Sequence, residues 1–136
     1  MIDSNRFARI ALAIIYVWFG VLKIFRVSPA SPLVDALFGT MTSFVSTHTF
    51  GIAFGIFEVV IGVLFLCRRY TTFTIILFAL HMVTCFLPLI LLPNLTWTLP
   101  FVPTMDGQYI IKNLALIALA IVIAKDAEKK SHSSIR

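Results

Sequence analysis

Lys23, Glu58, His81 and Lys112 are ionisable side chains set within long apolar stretches. A lysine or an acid at mid-bilayer costs about 2.5 to 3.5 kcal/mol on insertion scales, so each needs a partner or a polar cavity. Glu58 stands near the middle of GIAFGIFEVVIGVLFL, residues 51 to 66, a stretch with no cation. Gly51, Gly55, Glu58 and Gly62 share one helical face, and small residues on such a face let helices approach closely. The carboxylate is therefore expected to face other helices and not lipid. Tyr16, Phe19, Gly20 and Lys23 follow the same spacing, and Gln108, Tyr109, Lys112 and Asn113 cluster within about one turn. A constellation of Lys23, Glu58 and Lys112 with Tyr16, Tyr109 and Asn113 nearby is an anion-friendly pocket, in which Glu58 or His81 could exchange a proton. Plainer roles stay open. They are lysines snorkelling to the interface, a Glu58 ion pair that fixes helix register, and a core pair of His81 with Cys85 one turn away. Two such residues do not define a metal site, and none is expected.

The elements that carry these residues follow from composition. The chain has 136 residues, 60% of them hydrophobic and 12% charged, with a mean hydropathy of +0.99. A water-soluble core of this size needs more polar covering. The apolar residues fall into four blocks, about 7–25, 51–67, 72–92 and 108–124, each long enough to cross a ~30 Å hydrocarbon layer. None alternates in the short segments of a β-barrel. The expected fold is all-α: a polytopic membrane protein, one four-helix transmembrane bundle over residues 1–136. The first block is too long for the apolar region of a signal peptide and carries Lys23, so cleavage is not expected despite Ser28-Pro29-Ala30.

Charge sets the expected orientation. Arg6, Arg9, Arg68, Arg69, Lys125, Lys129, Lys130 and Arg136 fall in three regions that share one side, whereas the opposite side has Arg26 alone. The positive-inside rule makes the crowded side, with both termini, cytoplasmic. The basic tail is too sparse for nucleic acid, and lipid headgroups are its expected neighbours. On this topology Lys23, Glu58 and Lys112 fall within roughly 10 Å of the outer boundary, with His81 deeper. Arg68 to Thr71 is a turn so tight that spans 2 and 3 form a hairpin. Between spans 1 and 2, Ser31-Pro32 suits a helix start, and Leu33 and Leu37, with Phe44 as a candidate continuation, form an apolar stripe. A short helix on the outer surface or over the bundle mouth is expected there. PNLTWTLPFVPTMDGQ reads as an irregular cap anchored by Trp97 and Phe101, and Pro88 as a kink in span 3. Cys67 and Cys85 differ too much in depth for a disulfide. There is no CxxC, no zinc spacing and no nucleotide-binding motif, so no self-contained catalytic motif is visible.

Three stretches, YVWFGVLKIF at 16–25, GIFEVVIGVLFL at 55–66 and GQYIIKNLALIALAIVIAKD at 107–126, resemble the DoxX-like superfamily, and within it the RclC/YkgB group of bacterial inner-membrane proteins. The resemblance covers spans 1, 2 and 4, and places Lys23, Glu58 and Lys112 with Asn113 at the family's polar positions. It implies a bacterial inner-membrane location and a part in membrane redox or oxidative-stress systems, with a redox enzyme as partner. Quinone is the cofactor to consider: lysine and tyrosine could hydrogen-bond its carbonyl. Two further classes compete with this reading: a non-catalytic anchor or assembly partner for a soluble enzyme, and a proton or anion transporter. Homo-oligomerisation stays open, since lipid satisfies exposed apolar faces equally well.

Overall fold

A computed structural model describes residues 3–41 and 46–133; Phe44 and Arg136 lie outside the described residues. Helix α1 spans Ser4–Ile24, α2 Ser31–Met41 and α3 Thr47–Leu66. After a 3-10 turn at Arg68–Tyr70 come α4 (Thr71–Phe86), α5 (Pro88–Leu91) and α6 (Pro93–Thr96). Two short strands, β1 (Trp97–Leu99) and β2 (Val102–Pro103), precede α7 (Met105–Ser133). Four helical stretches, Ser4–Ile24, Thr47–Leu66, Arg68–Leu91 and Met105–Lys129, are long and apolar enough to cross a membrane. That is the make-up of a multi-pass membrane protein.

α1 and α7 begin earlier than apolar content alone suggests, because polar caps extend them. The Asp3 carboxylate accepts from the Asn5 amide and starts α1 before Phe7. The Thr104 hydroxyl accepts from the Gly107 amide and its carbonyl from that of Gln108, so Asp106 and Gly107, at the end of the stretch expected as an irregular cap, form the first turn of α7. Gly107 is required there, since a β-carbon would run into the Thr96 carbonyl. Pro88 does interrupt the third span: α4 ends at Phe86, and the proline opens a separate short helix. The cap beyond it is more ordered than an irregular loop. β1 and β2 pair antiparallel, the Trp97 indole donates to the Leu89 carbonyl at 3.0 Å, and Phe101, with φ of 65°, stands 94% exposed.

α1 packs most extensively against α3, and glycine makes this possible. A β-carbon on Gly20 would lie 2.6 Å from the Gly55 carbonyl oxygen, and one on Gly55 would lie 2.7 Å from that of Gly20. Gly62 meets Val17 and Tyr16 in the same way, so the two helices run antiparallel with their backbones nearly touching. Leu12, Ile61, Phe65 and Ile123 fill the core toward the turn at Cys67, with Tyr16 edge-on to Phe65. At that end Arg9, read from sequence only as a topological charge, is buried. It donates to the Asn5 side chain, the Phe65 carbonyl and the Thr71 hydroxyl, tying α1 to the end of α3 and the start of α4.

Candidate functional site

At the opposite half of the bundle the buried charges meet. Lys23, in the last turn of α1, donates to both oxygens of Glu58 at 2.9 and 2.7 Å. His81 of α4 joins them, its Nε2 at 2.9 Å from Glu58 Oε1 and its Nδ1 at 3.0 Å from the Tyr16 hydroxyl. A carboxylate only accepts, so Nε2 carries its hydrogen toward Glu58, which leaves Nδ1 as the ring nitrogen that meets the hydroxyl of Tyr16. The result is one continuous chain, Tyr16 to His81 to Glu58 to Lys23, whose four members are each at most 8% exposed. Buried polar groups linked this way fix one another's rotamers.

Two elements orient the imidazole. Phe54, one turn before Glu58 on α3, stacks on it at 4.9 Å between ring centroids and 21° between planes. The Cys85 sulfur lies 3.5 Å from Nδ1 and 3.7 Å from Nε2. Near-equal distances to the two nitrogens place the thiol over the ring and not in line with either lone pair. Cys85 is therefore a packing neighbour of His81 and lacks the geometry of a nucleophile held by its base. Phe54 shares the glycine and glutamate face, and that spacing was the signal by which sequence could have found it.

His81 meets Glu58 although its depth counted from the outer boundary differs. Counted from the hairpin turn instead, Glu58 precedes the end of α3 by about as many residues as His81 follows the start of α4, which puts them level. Lys112 is not brought to the cluster. It is exposed, with its ammonium 5.1 Å from the centroid of the Tyr109 ring. Asn113 faces inward, and Lys112, one position earlier, is turned by about 100° from it at 3.6 residues per turn. The triple of Lys23, Glu58 and Lys112 is thus replaced by Lys23, Glu58, His81 and Tyr16.

Beside this chain lies a cavity of about 380 Å³, within the range of small-molecule sites. Tyr16, Lys23, Glu58 and His81 form part of one wall; Asp106, Tyr109 and Asn113 of α7 stand across from it. Most of the remaining lining is apolar, including Leu33, Val34, Leu37 and Phe38 of α2. That helix lies over the bundle mouth, one of the two placements its stripe suggests, and Leu37 and Phe38 are buried. It is held by Arg26, which pairs with both carboxylate oxygens of Asp35 at 3.1 and 2.8 Å. The hydrogen bond to Asp35 raises the Arg26 guanidinium above its ordinary pKa. Arg26 itself has φ of 58° and occupies the left-handed position of a Schellman ending to α1: its amide donates to the Lys23 carbonyl and that of Val27 to Leu22.

With Lys112 outside, the lining has two carboxyl groups, Glu58 and Asp106, against one ammonium already engaged. The cavity therefore does not favour an anion. What it offers is neutral hydrogen bonding: Lys23 spends two of its three N–H donors on Glu58, and Asn113 makes no side-chain hydrogen bond to another described residue. Among the described residues no three His, Cys, Asp or Glu side chains converge on a metal-sized site. No family model, no curated protein and no solved structure matches the chain, so the site has to be interpreted from its own chemistry.

Proposed function

We propose that this is a membrane protein that binds a small neutral molecule, with quinone the best-fitting class, and that it serves as a subunit of a redox or oxidative-stress system. The observation that carries this reading is the cavity beside the Lys23, Glu58, His81 and Tyr16 chain, with spare donors on Lys23 and Asn113. A quinone carbonyl needs such donors and an apolar surround for its ring, and the residues present fit both needs. When bound, a quinone supplies proton-coupled electron carriage; the chain itself supplies hydrogen bonds at the carbonyl and a proton-holding pair in His81 and Glu58. The DoxX-like resemblance adds the redox context. The same reading puts the chain in a bacterial inner membrane as one four-span domain, both termini cytoplasmic and the cavity toward the outer face.

Organic extraction of the protein purified in mild detergent tests this. Quinone is expected in the extract and depleted from that of Glu58→Gln, and cells carrying Glu58→Gln should lose oxidant tolerance. No quinone in either extract together with unchanged tolerance overturns the reading. One observation favours a second reading, a non-catalytic anchor for a soluble enzyme. Both Glu58 oxygens are already engaged by Lys23 and His81, so the cluster holds helices together without a ligand. On that reading, exchanging the charges of Lys23 and Glu58 preserves function.

A further inference from the structure

A second concavity, of about 550 Å³, runs along the third span and α7 from the level of Ile90 to that of Ala124, near the Cys67 end of the bundle. Every residue that lines it is apolar; Phe78, Ala79 and Val83 stand on one side, Ile117, Ala120 and Ala124 on the other. The two spaces share a wall and a helix face. Met82 lines both, and on α7 the stripe that lines the cavity through Asn113 and Leu116 continues at helical spacing into Ile117, Ala120 and Ala124. A methionine is the side chain best able to shift and let a flexible chain pass, because its thioether is unbranched and soft.

These observations narrow the ligand. The polar end can donate hydrogen bonds but carries more carboxyl groups than free cations, which selects an uncharged head with an accepting oxygen and disfavours a phosphate headgroup. The groove contains nothing for a polar ligand, and its wholly apolar lining suits an aliphatic chain. We propose that the ligand is a single-tailed neutral amphiphile. Its ring-sized head sits in the cavity against Lys23 and Asn113, and its tail leaves past Met82 along the groove between α4 and α7. This rests on the cavity reading above and adds to it the tail and its path.

The test compares a decyl-tailed benzoquinone with the same ring lacking its tail, both titrated into the full chain in lipid nanodiscs at matched mole fraction in the lipid. Ala79→Phe fills the groove from an exposed position, and Ala124→Phe does so one level nearer the Cys67 end. The tailed probe should bind the unmodified protein more tightly than the ring, and each substitution should weaken it by about ten-fold while leaving the ring's affinity unchanged. A tailed probe with a photoreactive group at its end should label α4 or α7 along the groove. Equal affinity of both probes, indifferent to Ala79→Phe and Ala124→Phe, overturns the tail path and leaves the cavity reading standing. A substitution that weakens ring and tailed probe alike, or labelling confined to α1 or α2, also overturns it. If neither probe binds, the cavity reading falls and takes this inference with it.

Discussion

Glu58 accepts three hydrogen bonds, two from Lys23 and one from His81, so its replacement tests the whole chain of buried groups. Glu58→Gln keeps the size but leaves a buried ammonium without a counter-ion. Removing one partner of a buried pair costs roughly 3 to 5 kcal/mol, which should appear as a marked fall in the unfolding midpoint in detergent. The double substitution Lys23→Met with Glu58→Gln removes the stranded charge and keeps an accepting oxygen for His81. It should recover to within about 1 kcal/mol of the unmodified protein, since replacing both partners is often near neutral, yet bind no quinone probe. A double variant that binds the probe normally would show that the cluster is only structural. At this scale the sequence was informative where burial forces a partner: an acid among glycines had to find a cation, and Lys23 was within reach. Lys112 was harder to place because its depth is right and only its angle around α7 is wrong, and helical phase depends on where the cap at Thr104 starts the count.

Elements set how closely those side chains can meet. Gly20 and Gly55 bring the α1 and α3 backbones together at the level where Lys23 reaches Glu58. Gly20→Ala puts a β-carbon against the Gly55 carbonyl and the Val59 amide, which are backbone atoms that move only if the helices separate. A loss of roughly 1 to 3 kcal/mol is expected. Gly39→Ala is the control: nothing lies within 4 Å of its β-carbon, and the helix should gain roughly 0.5 to 1 kcal/mol. Equal effects of the two substitutions on thermal unfolding would contradict close packing at the α1 and α3 contact. The glycine face was legible because its spacing is regular. The Schellman ending was not, since sequence leads one to expect glycine where Arg26 stands. That arginine accepts backbone strain, and the pairing with Asp35 that fastens α2 over the cavity is its compensation. Asp35→Ala should speed hydrogen exchange across residues 31–41. Arg26→Gly should do the same even though it relieves the positive φ, which separates the latch from the strain. Unchanged exchange in both would mean that Leu37 and Phe38 alone hold the helix. The β1 and β2 pairing was equally out of reach, because three prolines mark turns without saying which residues pair.

For the whole molecule, the distribution of charge decides which face of the membrane the cavity opens toward. Arg6, Arg68, Arg69, Lys125 and Lys129 are exposed at the end that holds the Cys67 turn, and Arg9 is buried at that same end. At the other end Arg26 is neutralised by Asp35. Pairing occurs at both ends, since Arg68 also meets Asp3 at 3.3 Å, so the asymmetry lies in the number of cations and not in which of them are paired. The four spans were legible from apolar length alone, whereas orientation depends on insertion in a bilayer and has to be measured. Cys67 is exposed beside Arg68 and offers a native reporter. In a Cys85→Ala background, a membrane-impermeant maleimide should label Cys67 in inverted vesicles and leave it unlabelled in intact cells whose outer envelope has been opened. Phe101→Cys, at the exposed hairpin tip of a chain that also carries Cys67→Ser and Cys85→Ala, should give the reverse pattern. Labelling of Cys67 from outside would turn the molecule over, placing the Lys23 and Glu58 cavity toward the cytoplasm. A quinone bound there would then have to enter from the inner leaflet, and any partner enzyme at the cavity mouth would have to be cytoplasmic.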